Sequence, residues 1–207
     1  MIKQTFSLET SISVFSEARS LHIYADIIAA ADKLKKKYGE TDPFALCERI
    51  GIKLNYFPLG TAKDAIKGFF LTDRRIKVIT INSDLPYVIQ RIITAHELGH
   101  AVLHNNAGLH TFHDIGLFDE SSMLEKDANL FAAELLLSDD EVLQMLNEDT
   151  TFFTAASTLN VPVELLDFKF RVMKWKGYKM AEPPVIARSN FLKDVTIPSY
   201  DSYGAYE

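Results

Sequence analysis

The chain has 207 residues, 47% hydrophobic and 24% charged, the balance of an ordinary globular protein. A formal net charge of −6 argues against a broad basic face for nucleic acid, so no direct nucleic-acid contact is expected. The single cysteine, Cys47, excludes an internal disulfide and any cysteine-built metal cluster. No apolar stretch is long enough to span a bilayer, and Met1–Ser20 lacks the apolar core of a secretory signal. The expected compartment is the reducing cytoplasm, with no membrane partner.

Residues 1–20 are rich in Ser and Thr without a helical period and are read as an extended arm. From Leu21 the pattern changes. Ile23, Ile27, Ala30, Ala31, Leu34 and Tyr38 recur at steps of three and four, one helix face. The lysines of Lys33-Leu34-Lys35-Lys36-Lys37 then form a solvated face, and Gly39 is a stop. Thr41-Asp42-Pro43 opens a short second helix, a capping side chain followed by proline at the first helical position. Three strands follow, at Ile52–Phe57, Gly68–Thr72 and Ile76–Asn82, with a tight turn at Asp73-Arg74. Asp84-Leu85-Pro86 leads into a long amphipathic helix ending near His104. A loop to Glu120 comes next, then a helix from about Met123 to Leu137. Ser138-Asp139-Asp140-Glu141 is a capping box that starts another helix. Thr150–Leu159 and Pro162–Lys174 are two further helical stretches, and the remainder is a polar, aromatic tail. One domain at 21–178 is expected, with 1–20 as arm and 179–207 as tail.

The chemistry lies in His96-Glu97-Leu98-Gly99-His100. Residues four apart on an α-helix differ by about 40° around its axis, so both imidazoles project from one face. They can share one tetrahedral ion. Glu97 lies about 100° round, beside the ion, where it can accept a proton from the water that the ion activates. That is the arrangement of a zinc peptidase. Gly99 in mid-helix costs about 1 kcal/mol relative to alanine, so something requires close approach there. Tight helix packing and room beside the metal are both open.

A catalytic zinc needs a third protein ligand. His104, His110, His113, Asp114, Glu125 and Asp127 are the candidates. His104 continues the four-residue spacing, but three ligands in a row along one straight helix reach too far for a single ion. With His110 and His113 it is read as surface or supporting residue. Glu125 and Asn129 lie one turn apart in the next helix. One can bind metal while the other orients a ligand histidine through its second ring nitrogen. Glu125 also fits a capping box with Ser122. Glu125 is the first candidate, Asp127 the reserve.

Asp42-Pro43-Phe44, Gly68-Phe69-Phe70, Ile79-Thr80-Ile81-Asn82, RIITAHELGHAVLH from Arg91 and EKDANLFAAELLLS from Glu125 occur in this order. Over Ile23–Tyr178 the chain resembles the ImmA/IrrE family of metallo-endopeptidases. The resemblance implies a zincin-like α+β fold, a zinc ion on His96, His100 and Glu125, and Glu97 as base. The family often has Asp or Asn at the position of Asn129. It further implies a protein substrate, a helix-turn-helix repressor of phage or stress-response type. Some members carry an N-terminal DNA-binding domain, for which the twenty residues before the first helix are too few. Thr151–Lys174 could itself be drawn as helix-turn-helix, but Glu164 and Asp167 would face phosphates.

The expected fold is a small, mostly antiparallel sheet packed on the HExxH helix, followed by a helical C-terminal half. The expected function is zinc-dependent cleavage of a regulatory protein. The rival is a non-proteolytic protein that sequesters a repressor or toxin around a structural metal. A peptidase would hold its substrate extended along a sheet edge, and Gly68–Thr72 or Ile76–Asn82 could supply it.

Overall fold

The computed structural model describes residues 8–104, 119–146 and 150–194. The element order is α1 (Leu8–Tyr38), α2 (Pro43–Ile50), β1 (Ile52–Phe57), β2 (Gly68–Asp73), β3 (Ile76–Asn82), α3 (Tyr87–Leu103), α4 (Asp119–Leu136), α5 (Asp139–Met145), α6 (Phe152–Thr158), α7 (Val163–Trp175) and α8 (Phe191–Asp194). Residues 8–20, read as an extended arm, are helical. They contain no proline or glycine, so the turn nucleated from Ile23 onward extends N-terminally at one hydrogen bond per residue. Residues 1–7 lie outside the described residues.

Local signals set most boundaries. Asp42 caps α2 by accepting from Ala45 N at 3.3 Å, with Pro43 behind it. Ser138 and Glu141 form the reciprocal capping box that opens α5. The turn between β2 and β3 falls on Arg74-Arg75, one residue later than read, with Arg74 at φ +55°.

The sheet order is β1-β3-β2. β2 and β3 are antiparallel, but β1 and β3 are parallel, so the sheet is mixed rather than mostly antiparallel. The connection explains it. β2 and β3 are joined by a two-residue turn, which forces antiparallel pairing. β1 reaches β3 only after β2 has been laid on the far side, and no hairpin constrains its direction. β3, the β-branched strand, is central, and Ile79 and Ile81 are fully buried.

Helix α3 packs on β2 and β3 on one side and on α4 on the other. Ile92, Ile93 and Leu98 of α3 and Leu130 and Phe131 of α4 are almost wholly buried, each worth about 1.5–3 kcal/mol. Behind α4 lies α7, the second helix of the stretch that could be drawn as helix-turn-helix. It is a core helix, with Leu165, Leu166, Phe168 and Lys169 fully buried. Glu134 of α4 meets Lys169 at 2.7 Å and Lys176 at 2.8 Å, and Asp139 meets Lys169 at 2.6 Å and Lys176 at 2.9 Å. Lys35, expected on a solvated face, approaches Glu134 at 3.4 Å. The chain after Tyr178 is not all loose tail, since Ala187 and Phe191 are buried in the same core.

Candidate metal centre

The last turns of α3 carry His96, Glu97 and His100, all buried. Two glycines allow the neighbours this close. A Cβ at Gly99 would lie 3.1 Å from Phe131 Cδ1, 3.2 Å from Ala128 Cα and 3.3 Å from Ala128 O. Helix packing is therefore what Gly99 serves, and that packing brings α4 and its Glu125 against the histidines. A Cβ at Gly68 would lie 2.5 Å from Ile93 and 2.9 Å from Thr80 O, so β2 can lie against α3 only with glycine there.

Three side chains converge. His96 Nε2 and His100 Nε2 are 3.1 Å apart, Glu125 Oε2 is 3.2 Å from His96 Nε2, and Glu125 Oε1 is 3.5 Å from His100 Nε2. A tetrahedral ion with ligand distances of about 2.0–2.1 Å has its ligand atoms about 3.3–3.4 Å apart. The triangle formed by these atoms has that size. Asp127, the reserve, points elsewhere and lies 3.9 Å from His104 Nε2. The capping-box reading of Glu125 gives way, because α4 begins at Asp119 and Ser122 stands inside the helix. His110, His113 and Asp114 lie outside the described residues.

The outer nitrogens of the two imidazoles are also engaged. Asn129 Nδ2 donates to Ser189 O at 2.6 Å, and a carbonyl can only accept, so the amide orientation is fixed. Asn129 Oδ1 then accepts from His96 Nδ1 at 2.8 Å. With the proton on Nδ1, His96 Nε2 presents a bare lone pair to the Glu125 carboxylate, an arrangement that a cation relieves. His100 Nδ1 lies 3.0 Å from His104 Nδ1, with the Asp127 carboxylate beyond. Burial, above all, lowers the pKa of His100, partly opposed by the hydrogen bond with Glu125, and favours the neutral imidazole that ligates metal. The donor set of two imidazoles and one carboxylate fits a divalent ion.

Sequence spacing found all five of these polar groups, and it assigned Asn129 the orienting part. It missed Ser189, sixty residues from Asn129, because nothing local marks a backbone carbonyl as a partner. It placed His104 only as a surface or supporting residue, and the structure makes it the neighbour of His100.

The site opens into a cleft of about 250 Å³. His96, Glu97 and Glu125 line it together with Gly68 and Phe69 of β2, the 63–67 loop and residues 189–193. β2 is an edge strand of the sheet and β3 is interior, which leaves β2 as the strand beside the site.

Residues 47–171, more than half of the chain, match the family described as the IrrE N-terminal-like domain. A protein of Bacillus phage phi105 named uncharacterized immunity region protein 2 is 38% identical over 146 residues, covering 70% of this chain and 90% of its own. The protein named metallopeptidase ImmA of Bacillus subtilis (strain 168) is 32% identical over 141 residues, covering 65% of this chain and 78% of its own. Both long motifs, around His96–His100 and around Glu125–Asn129, fall inside the matched segment, and the chain belongs to the ImmA/IrrE family of metallopeptidases.

Proposed function

We propose that the chain is a zinc-dependent endopeptidase of zincin type that cleaves, and so inactivates, a helix-turn-helix repressor in the cytoplasm. One observation carries the reading. The His96, His100 and Glu125 donors form a triangle of tetrahedral size in the same cleft that Glu97 lines. His96, His100 and Glu125 would hold the zinc ion, with Asn129 orienting His96. When bound there, zinc would supply a Lewis acid that acidifies water and polarises a peptide carbonyl.

The chain's own groups do the rest. The Glu97 carboxylate accepts the proton of the attacking water and delivers it to the leaving amine. Edge strand β2 offers its main chain to an extended substrate, which can be held without regard to every side chain. The names of the two relatives, an immunity region protein and a metallopeptidase, support a regulatory protein as target. No described helix is long and apolar enough to cross a membrane, and the one cysteine is a buried thiol.

Glu97→Gln tests the proposal. The amide keeps the shape of the side chain and removes the base. The variant should keep its zinc and bind a repressor encoded beside its gene, yet cut it at least about a hundredfold more slowly. Wild-type regulation by Glu97→Gln, with no fragments produced by the wild-type protein, would instead identify a sequestering protein whose metal is structural.

A further inference from the structure

The cleft beside the histidines has two walls from distant parts of the chain. The first is the loop before β2. Buried Asn82, at the end of β3, holds it: Asn82 Nδ2 donates to Gly60 O at 2.7 Å and to Ile66 O at 2.9 Å, and Asn82 Oδ1 accepts from Leu59 N at 3.1 Å. The second is the strap 187–193. Asp167 on α7 accepts from Ala187 N at 2.9 Å, Arg171 donates to Ala187 O at 2.9 Å, and Phe191 packs on Phe168 with ring centroids 5.7 Å apart. Ser189 is tied to Asn129, as described above. Both walls are therefore preorganised, so little order has to be created when a ligand enters. The strap lies beyond the segment 47–171 that matches the family.

The two walls share one chemistry. Ile66 and Phe69 on one side and Leu192 on the other give an apolar lining. Lys63 and Lys67 on one side and Lys193 on the other give three positive charges, against Asp64 alone outside the metal centre. In a chain of net charge −6 this is a local inversion of sign. Lys67 Nζ donates to Ala62 O at 3.1 Å and Lys63 O at 3.4 Å, neutral acceptors that fix the ammonium without cancelling its charge.

Resting on the peptidase reading, we propose that the cleft selects an extended peptide presenting a bulky apolar side chain flanked by acidic residues. The strap 187–193, through Leu192 and Lys193, is a specificity determinant. The apolar side chain leaves water between Phe69 and Leu192, and the flanking carboxylates meet lysines from both walls.

The test uses the full-length, zinc-loaded Glu97→Gln protein and short fluorescein-labelled peptides. The peptides are identical except that a central Leu is flanked by Glu, by Gln or by Lys, and in a fourth the Leu is replaced by Ser. Fluorescence anisotropy should show the Glu-flanked peptide binding at least about threefold tighter than the Gln-flanked one, and about tenfold tighter than the Lys-flanked one, at low salt. The differences should shrink as salt is added, and the Ser peptide should bind most weakly of the uncharged pair. Lys193→Glu in the same background, with zinc content unchanged by elemental analysis, should diminish or reverse the order. Equal binding of the three flanked peptides, no binding of any, or an order indifferent to Lys193→Glu would overturn the proposal. Cutting of the same peptides by the wild-type protein separates the two readings. An acidic preference in binding without any cutting sinks the peptidase reading alone, whereas cutting without preference sinks the selectivity proposal alone.

Discussion

Gly99→Ala probes whether the packing of α3 on α4 holds the metal centre together. In an exposed helix this substitution stabilises by about 1 kcal/mol, because alanine is the better helix former. Here the new methyl meets Ala128 Cα at 3.2 Å, Ala128 O at 3.3 Å and Phe131 Cδ1 at 3.1 Å, two of which are backbone atoms that cannot swing away. To restore ordinary contact, α4 must retreat by about 0.5 Å, a strain of about 1–3 kcal/mol for an overpacked core. The net expectation is a loss of up to about 2 kcal/mol, or a melting temperature lower by about 4–8 °C in a domain of this size. The consequence for metal is larger than for stability. Glu125 stands three residues before Ala128 on the same helix, and ligand distances tolerate only about 0.2 Å. Zinc affinity, measured by competition with a chromogenic chelator, should therefore fall at least about tenfold, while circular dichroism stays that of a folded protein. A Gly99→Ala protein that melts higher than wild type and binds zinc as tightly would refute the close-packing argument.

Other outcomes follow from the same geometry. Glu125→Ala should empty the zinc site on elemental analysis and Asp127→Ala should not; the reverse result would exchange their assignments. Chelation of the wild-type protein should lower its melting temperature, since an ion that binds only the folded state stabilises it. Burial by itself raises the Asp139 carboxyl, but hydrogen bonds from Lys169 and Lys176 outweigh it and hold the group below its ordinary value of 3.8. Its contribution is thus complete above the unfolded value and disappears as pH falls through the folded one. Asp139→Asn should cost on the order of 3 kcal/mol at neutral pH, the low end for unpairing a buried charge, because Glu134 still faces Lys169. That deficit should shrink below about pH 4 in urea titrations. A pH-independent difference would mean the ion pairs with Asp139 are not the cause. Burial pushes the Cys47 thiol up to about 12, so the native protein at pH 8 should react with iodoacetamide on the order of a thousandfold more slowly than the unfolded chain. Labelling of the folded protein at the rate of a free thiol would contradict the buried position of α2.

Much was legible from residues alone because it depends on neighbours within one turn. His96 and His100 share a helix face by their spacing, Asp42-Pro43 and Ser138–Glu141 cap their own helices, and β3 is β-branched enough to be a strand in any setting. Glu125 and Asn129 also share a face, so the sequence narrowed the third ligand to that helix and named Asn129 as an orienting residue. Only the tertiary structure decided between Glu125 and Asp127. The difference is a rotation of two residues about α4, invisible until α4 is docked on α3 through Gly99 and Ala128. The parallel pairing of β1 with β3, the partner of His100, and the strap that places Ser189 over Asn129 were equally beyond reach. Periodicity and capping report free energies that a short segment can settle by itself. Which carboxylate meets an imidazole 29 residues away (125 − 96 = 29), or which carbonyl meets an amide 60 residues away, is settled by how whole elements bury their apolar faces against one another, and no local pattern encodes that choice.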